Sequence, residues 1–467
     1  MKRSFAIYIL LTVLSFEIAL TCASGASPGI CRIEVIEQGT GWPVPLVELR
    51  TTHQERFVTD NDGVIAFDLP ELMGRKTWFD VIGQGYEVRK DALGMSGVQL
   101  TPEPGETLRV VVTRTIIARR IGRLTGGGLF AESQKLGDET GWKESGVLGC
   151  DSVQNAVYRG KLFWLWGDTA LPNYPLGIFD STCATTSPHP LTQFQPPLRV
   201  AFDEFTDAKG NPRGVAPMPG PGPTWIGGMV TVPDSNGQPH LVAAYVKIKP
   251  PMDAYEWGLC AWNDAANKFE PLRLLWKKSA AAPKPPPVPD GHATFWTDTN
   301  GKQWLLFGNP LPYLRCPATF EDWQNSNTWE TLAPQKYLMS AADGSLVEPH
   351  AGSITWNPWR HRWVTVFEQI YGKPSMLGEI WYAEAETDSP LGQWGKAVKI
   401  LSHDNYTFYN PFIHPEFTSS NSPILLFEGT YSRTFAANPP PTPRYDYNQI
   451  LYRLDLDDPR LRPAQTP

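Results

Sequence analysis

The chain has 467 residues, more than one ordinary domain holds, so two domains are expected, one small and one large. Its formal net charge of -7 excludes a basic stripe for a nucleic-acid backbone. With 45 prolines, 40 glycines and 18 tryptophans against only 19% charged residues, the composition favours strands and turns over helices and indicates an all-β protein.

A basic and then apolar segment opens the chain. Lys2 and Arg3 precede an apolar run over residues 5–20, and small residues follow, which predicts a cleaved secretory signal over residues 1–26. No segment has the length of a confident transmembrane span. We therefore expect a secreted or periplasmic protein. A lipid anchor at Cys22 is the weaker alternative, because the three residues before it match the required small-residue context poorly.

The cysteines are too few for a disulfide scaffold. After loss of the signal, five remain: Cys31, Cys150, Cys183, Cys260 and Cys316. Because this number is odd, at least one thiol stays free or pairs elsewhere. No Cys-x-x-Cys or His-rich spacing is present, so we expect no metal site of the zinc type.

Short alternating strands fill residues 27–115, the predicted first domain. Alternation gives each strand one buried face and predicts two sheets packed as a β-sandwich. The run TDNDG, with Asp60, Asp62 and Gly63, and the later GQGYE resemble the transthyretin-like or carboxypeptidase regulatory-like sandwich. That resemblance implies a turn in which Asp accepts backbone N–H bonds and Gly takes a positive φ. A structural calcium ion at Asp60 and Asp62 is the alternative, although other ligands of a calcium loop are missing. This domain would be a spacer or an accessory binding module.

Residues 116–467 contain a repeated unit in which a strand, a polar turn and an aromatic-rich strand follow one another. Such repetition is typical of a propeller, and five copies predict five blades. The copies cover residues 148–169, 225–248, 291–310, 350–369 and 412–430. We expect a closing strand in NQILYRLDL, near the end of the chain, paired with the first blade.

Polar residues recur at equivalent places in the five copies. The second strands end at Asp168, Lys247, Asn309, Glu368 and Glu428, and the first strands begin near Asp151, Trp225, His292, His350 and His414. Because the first strand of each blade lines the central channel, equivalent side chains should face one another around the axis. The alternative is that polar strand ends only cap the sheets against solvent.

Several longer runs carry a family resemblance. An Asp opening the first blade, the runs KLFWLWGDT and GEIWYAEAETDSPLGQW, and NPFIHPEF opening the fifth blade are similar to the five-bladed propeller glycoside hydrolases. These include arabinanase, levansucrase and arabinofuranosidase relatives and the D-arabinan-cleaving propellers. The resemblance implies hydrolysis of a polysaccharide or oligosaccharide, with an arabinan-like furanoside favoured, by carboxyl groups at the axis and without a cofactor.

Glycoside hydrolysis needs one carboxyl group to protonate the leaving oxygen and one carboxylate to activate water or attack carbon. The resemblance gives Asp151 the role of general base. Asp168 is then the nearest second carboxylate, as the acid, as a group that tunes a neighbouring pKa, or as a ligand for a sugar hydroxyl.

Two glutamates compete for the role of proton donor. The repeat favours Glu368, and the motif before IWYAEA favours Glu379. Glu348 and Glu428 are weaker candidates for the same role. The donor must have a raised pKa, which follows from burial or a neighbouring charge.

The remaining candidates would bind substrate, because imidazole, amide and carboxylate groups hydrogen-bond hydroxyls and an indole ring stacks on a sugar face. They are His292, His350, His414, Asn309, Trp225 and Glu428. Packing between blades is the alternative role for the aromatic residues.

Two other functions remain open. Because a fold does not confer activity, a non-catalytic propeller that binds carbohydrate or protein is one. A polysaccharide lyase that uses a His or Tyr base is the other. In each case we expect a monomer that binds no nucleic acid.

Overall fold

The computed structural model describes residues 29–126, 131–138, 146–171, 174–178, 180–191, 193–372, 375–403, 406–433, 444 and 446–465. The predicted signal and Cys22 lie outside these residues. Within them, no helix is both long and apolar enough to cross a membrane. The five cysteines from Cys31 onward are buried and free.

Eight strands form the N-terminal β-sandwich. They are β1 (Cys31–Glu37), β2 (Glu48–Thr51), β3 (Arg56–Val58), β4 (Val64–Phe67), β5 (Thr77–Ile82), β6 (Tyr86–Glu87), β7 (Gly97–Leu100) and β8 (Thr107–Arg114). One sheet has the order β4-β1-β8-β6 and the other β3-β2-β5-β7. Side chains alternate in burial along β1, as one buried face requires. The Asp60 carboxylate accepts the backbone N–H groups of Asp62 and Val64 at 3.0 Å, so its predicted turn role is confirmed.

The strands that follow form most of a propeller. In chain order they begin with β9 (Arg119–Arg123), helix α1 (Glu132–Lys135), β10 (Gly149–Cys150), β11 (Val153–Tyr158), β12 (Lys161–Trp166), β13 (Thr169–Leu171), β14 (Tyr174–Ile178), β15 (Thr182–Thr186) and β16 (Asp203–Glu204). Blade one is β11-β12-β15-β16, and β10, β13 and β14 make a small separate sheet.

Blades two and three repeat the same antiparallel order. Blade two contains β17 (Thr224–Pro233), β18 (Pro239–Lys249), β19 (Asp253–Asn263) and β20 (Lys268–Lys277). Blade three contains β21 (His292–Thr297), β22 (Gln303–Gly308), β23 (Pro312–Pro317) and β24 (Glu330–Thr331), with helix α2 (Phe320–Gln324) before β24.

Blades four and five complete the circle. A hairpin of β25 (Leu338–Met339) and β26 (Leu346–Val347) precedes blade four, which contains β27 (Pro349–Asn357), β28 (Arg362–Gln369), β29 (Glu379–Glu384) and β30 (Val398–Ser402). Blade five contains β31 (Thr407–Ile413), β32 (Ile424–Ser432), β33 (Asn448–Asp455) and β9. The first strands β11, β17, β21, β27 and β31 contact one another in a closed ring. The predicted fold class, a small β-sandwich followed by a five-bladed propeller, is confirmed.

The closure of the ring differs from the prediction. The C-terminal strand β33 pairs with β32 on one side and with β9 on the other, so it is the third strand of blade five and does not pair with blade one. Strand β9 precedes blade one in the chain and is the outer strand. The first two residues of the Gly-rich run GRLTGGGLF, at positions 122–130, belong to β9. The domain boundary between residues 115 and 116 stays a prediction.

The sandwich packs directly on the propeller. One hydrophobic core runs through both, from Phe67 and Phe79 in the sandwich to Phe427 and Tyr452 in blade five. Buried polar groups complete the contact. The Asn61 amide bonds the backbone of Arg123 and the carbonyl of Leu198 at 2.8–3.0 Å.

The Arg120 guanidinium, also buried, donates to the carbonyl groups of Pro45, Leu46 and Gln84. Because these bonds satisfy groups that burial would leave without water, they fix the sandwich against blade five.

Candidate active site

Asp151 lies between β10 and β11, at the start of the first inner strand. Its Oδ2 atom is 2.9 Å from the Tyr447 hydroxyl, and its backbone N–H donates to the carbonyl oxygen of Asp168 at 3.2 Å. Burial, and next the nearby charge of Asp168, raise the pKa of Asp151 to about 7. A carboxyl group with this pKa exchanges protons readily near neutral pH.

Gly167 allows the Asp151 carboxylate to lie very close to the backbone that follows β12. Its N–H donates to the Asp151 carbonyl at 2.8 Å, and a Cβ atom at position 167 would lie only 2.2 Å from the Asp151 Oδ1 atom. The glycine of the Gly-Asp-Thr run is therefore required by the position of the carboxylate beside it.

Asp168, the next residue, is held by an aromatic side chain from blade two. The Trp225 indole N–H donates to the Asp168 Oδ1 atom at 2.9 Å, and burial raises the pKa of Asp168. The structure thus brings together three residues that the sequence nominated: Asp151, Asp168 and Trp225.

These residues line a cavity of about 320 Å³ near the beginnings of the inner strands β11, β17 and β31. Four aromatic residues contribute to its wall: Trp166, Trp225, Tyr409 and Tyr447. The other lining residues are Asp151, Ser152, Gln154, Leu165, Gly167, Asp168, Ser181, Ile226, Met252, Thr430 and Ser432. Aromatic rings beside carboxyl groups provide both the apolar and the polar contacts that a sugar ring requires.

The backbone around Asp151 takes an unusual conformation. Ser152, Asn410 and Tyr447 have φ values of 46°, 50° and 55°, in the left-handed region that costs energy for residues other than glycine. Asn410 Nδ2 donates to the Ser152 Oγ atom at 2.7 Å. Such conformations are retained where the surrounding structure requires them, and here they join blades one and five around one carboxylate.

Glu368, from blade four, accepts a hydrogen bond from the Asn410 backbone N–H. It is fully buried, and its Oε1 atom is 2.8 Å from the Nδ1 atom of His350. Burial raises the pKa of Glu368 to about 7, although His350 and the Asn410 backbone N–H favour the charged form. The hydrogen bond with Glu368 raises the pKa of His350. The His350 side chain is 34% exposed, so this pair has one enclosed and one accessible member.

The pKa of Tyr409 is affected by the charges of both acidic groups, Asp151 and Glu368. Burial raises its pKa to about 12, and the charges of Asp151, Glu368 and Asp168 act in the same direction. The Asn410 backbone N–H bonds Glu368, and the preceding residue, Tyr409, lines the cavity. The Glu368–His350 pair therefore lies next to this part of the wall, although neither residue lines the cavity itself.

Other predicted site residues lie elsewhere. His414 and Glu428 are fully buried, with Nε2 and Oε2 3.6 Å apart, and His414 packs against Trp164. His292 packs on Phe412, and burial lowers its pKa to about 4. None of the three lines the Asp151 cavity.

The predicted equivalence of His414 with His292 and His350 is wrong. His292 opens β21, whereas His414 follows the last residue of β31. The start of β31 contributes Tyr409 and Asn410 instead. The connection between β31 and β32, residues 414–423, is longer than the corresponding connection in any other blade, so sequence spacing alone did not reveal where β31 begins.

The remaining predicted positions have contacts of their own. Asn309 accepts the Gly352 backbone N–H at 2.9 Å. Glu379 pairs with Lys399 at 2.7 Å and lines a second cavity, which shares no lining residue with that of Asp151. Of the two competing glutamates, Glu368 is the one whose charge acts on Tyr409 in the wall of the Asp151 cavity.

Sequence reasoning missed Asp180. Burial raises its pKa to about 7, with Lys247 opposing and Asp168 adding to the shift. The Lys247 ammonium donates to the Gly222 carbonyl at 2.6 Å. Asp180 lies outside the aligned strand ends, so the repeat gave no signal for it; only the fold brings it near Asp168.

No cluster of three or more metal-binding side chains occurs in the part of the chain that the structure describes.

No family model matches the chain, and no curated protein does. Among solved structures, the chain is similar to an exo-1,5-α-L-arabinanase from a bovine ruminal metagenomic library, with 12% identity, a TM-score of 0.37 and coverage of 65% of this chain and 92% of that one.

A GH43 endo-arabinanase from Bacillus licheniformis shows 10% identity and a TM-score of 0.34, with coverage of 67% and 95%. An N-acetylgalactosamine deacetylase from F. plautii shows 11% identity and a TM-score of 0.40, with coverage of 67% and 91%.

Proposed function

We propose that the protein is a glycoside hydrolase that acts at the mouth of its propeller channel. The observation that carries this proposal is the pair of acidic groups, Asp151 and Glu368, beside one aromatic cavity, each with a pKa of about 7. Hydrolysis of an acetal needs one group ionised and one protonated at the same pH.

Asp151 is the proposed general base. Its carboxylate lies in the cavity wall, and the Tyr447 hydroxyl holds its orientation. Ionised Asp151 would accept a proton from the water that attacks the anomeric carbon. Asp168, anchored by Trp225, would hydrogen-bond a sugar hydroxyl and hold the pKa of Asp151 up by its charge.

The Glu368–His350 pair is the proposed proton donor. Glu368 is enclosed while His350 is part exposed, so the imidazole is the member that a leaving group can reach. Its Nδ1 atom faces Glu368, which leaves Nε2 as the atom that gives the proton to the glycosidic oxygen. The buried carboxylate would keep that proton on the imidazole until transfer.

The proposed substrate is a neutral oligosaccharide or polysaccharide, with an arabinan-like furanoside favoured by the sequence resemblance. The described wall presents the carboxyl groups of Asp151 and Asp168, which would repel a uronate, so it supports a neutral sugar. We further propose export through the signal at residues 1–26, which mass determination of the mature N-terminus in culture medium would test.

The first experiment measures the release of reducing ends from arabinans, galactans and xylans. Asp151→Asn should abolish hydrolysis because the amide cannot accept the proton. Glu71→Gln, which changes an exposed carboxylate in the sandwich, should leave it unchanged. Equal activity in wild type and Asp151→Asn would contradict the assignment of the base, and inactivity of correctly folded wild type on every polymer would favour a binding propeller.

Aryl glycosides separate the two roles. A 4-nitrophenyl leaving group departs without protonation, so His350→Gln and Glu368→Gln should lose far more activity on polymers than on aryl glycosides. Asp151→Asn should lose both activities. Equal losses on both substrates in His350→Gln would contradict its role as the donor.

A further inference from the structure

Met252 is an exposed apolar residue in the wall of the Asp151 cavity. It lies at the tip of the hairpin that joins β18 to β19, in the turn 250–252 between the paired residues Lys249 and Asp253. Glycine and short polar residues are the usual occupants of such turns. Met252 is nevertheless 70% exposed, so packing into a core does not account for its side chain.

The backbone of Met252 adopts a conformation that favours glycine. Its φ is 153°, where a Cβ atom is crowded by the neighbouring backbone. The Met252 N–H donates to the Lys249 carbonyl at 3.1 Å, and Pro250 and Pro251 before it each have a φ restricted by the ring. The turn therefore holds a side chain over the cavity at a position where glycine would be less strained, and such conformations occur frequently at ligand sites.

Contacts below the tip support the hairpin. The Asp253 carboxylate pairs with the Lys278 ammonium, and the Tyr255 hydroxyl donates to the Pro221 carbonyl at 2.7 Å. The Met252 side chain is unbranched and adapts its shape to a contacting group. An adaptable apolar group is thus presented to the cavity by a supported turn.

We propose that Met252 is a substrate-binding residue, which contacts the apolar C–H face of the sugar whose anomeric carbon is attacked. The identity of this ligand rests on the proposed function. Asp151 and Asp168 lie in the same wall as Met252. Glu368 and His350, the proposed proton donor, do not line the cavity. The cavity is therefore the place of the attacked sugar, and the leaving part of the substrate extends towards His350.

The wall around Met252 suits the two kinds of surface that a sugar ring presents. The Asp168 carboxylate accepts hydrogen bonds from hydroxyl groups at the edge of the ring. The Trp225 ring and the Met252 side chain, both from blade two, offer apolar surface to its C–H groups. A polar side chain at position 252 would leave those C–H groups without an apolar contact.

Calorimetric titration of the full chain tests this contact. The parent is Asp151→Asn, which stops turnover, and the ligands are short oligosaccharides from arabinan, galactan and xylan. For a sugar that the parent binds, Met252→Ser should weaken affinity about fivefold through lost apolar contact area, and Met252→Leu should keep most of the affinity. Met95→Ser, which changes a methionine that is 50% exposed in the sandwich, is the matched control and should leave affinity unchanged.

Kinetics in the wild-type background test which part of the substrate Met252 contacts. Met252→Ser should lower kcat/KM by a similar factor on polymers and on 4-nitrophenyl glycosides, because both contain the attacked sugar. A loss confined to polymers would place Met252 beside the leaving part and overturn the proposal. Equal affinity of Met252→Ser and its parent, or no binding of any of the oligosaccharides, would also overturn it. Binding that depends on Met252 in a protein that hydrolyses none of these substrates would contradict the proposed function alone.

Discussion

Gly167, Asp151 and Tyr447 show how single residues set the chemistry of the site. Gly167 has no side chain and so leaves room for the Asp151 carboxylate. Burial and the charge of Asp168 raise the pKa of Asp151, and the Tyr447 hydroxyl limits that rise by donating a hydrogen bond to the charged carboxylate. The functional group is therefore defined by its neighbours as much as by its own identity.

The proposed hydrolysis should have a pH dependence that follows from these neighbours. Asp151 must be ionised and the Glu368–His350 pair must keep its proton, so kcat/KM should rise and then fall around pH 7. Tyr447→Phe removes a hydrogen bond to ionised Asp151, so the pKa of that carboxyl increases and the acidic limb moves to higher pH. Activity should fall more at pH 6 than at pH 8.

Tyr337→Phe, remote from the cavity, is the control for this pH measurement. A Tyr447→Phe profile that keeps the wild-type acidic limb would show that the phenol does not control Asp151.

Gly167→Ala tests whether the close approach between residue 167 and the Asp151 carboxylate matters for activity. The added methyl group would overlap the Asp151 Oδ1 atom at 2.2 Å, so the carboxylate must move. A displacement of this order lowers kcat/KM by about 10²-fold. Gly429→Ala is the matched control, because its methyl group would meet other atoms only at 3.6 Å and beyond. Wild-type kinetics in Gly167→Ala would refute the steric argument.

At the scale of elements, β9 and the turn at Asn61 join the sandwich to blade five. Strand β9 continues the chain out of the sandwich and pairs with β33, while Asn61 bonds the backbone of β9. The outer edge of blade five is thus covered by a strand that the sandwich positions.

Asn61→Ala should destabilise the protein. It leaves the N–H and carbonyl of Arg123 and the carbonyl of Leu198 without their partner, at a cost of about 1–3 kcal/mol. A decreased midpoint of urea unfolding would show this. Asn236→Ala, at an exposed turn, should be neutral, and equal midpoints for the two variants would contradict the role of Asn61.

Sequence patterns predicted the repeated elements more reliably than their ends. The alternation of β1 and the repeated hairpins led to the sandwich and the five blades, and Asp151, Asp168 and Trp225 meet as the repeat suggested. The register of blade five was not predictable, because several short apolar runs around Phe412 can each begin an inner strand. The interblade pairing decides among them.

At the scale of the whole molecule, the sandwich and the propeller share one hydrophobic core. Calorimetry should therefore detect one cooperative unfolding transition, since neither part can lose its packing without exposing the other. Two well-separated transitions would show that the parts are energetically independent.

Local composition and periodicity by themselves determined the all-β class, the five repeats and the region of the catalytic candidates, because strand alternation and turn chemistry are short-range properties. Tertiary structure decided which acids meet. Glu368 and Glu379 are separated by only eleven positions and both are buried, yet Glu368 pairs with His350 and Glu379 pairs with Lys399 at an outer strand. Distances across the channel, burial and the resulting pKa values arise only when distant blades close into a ring.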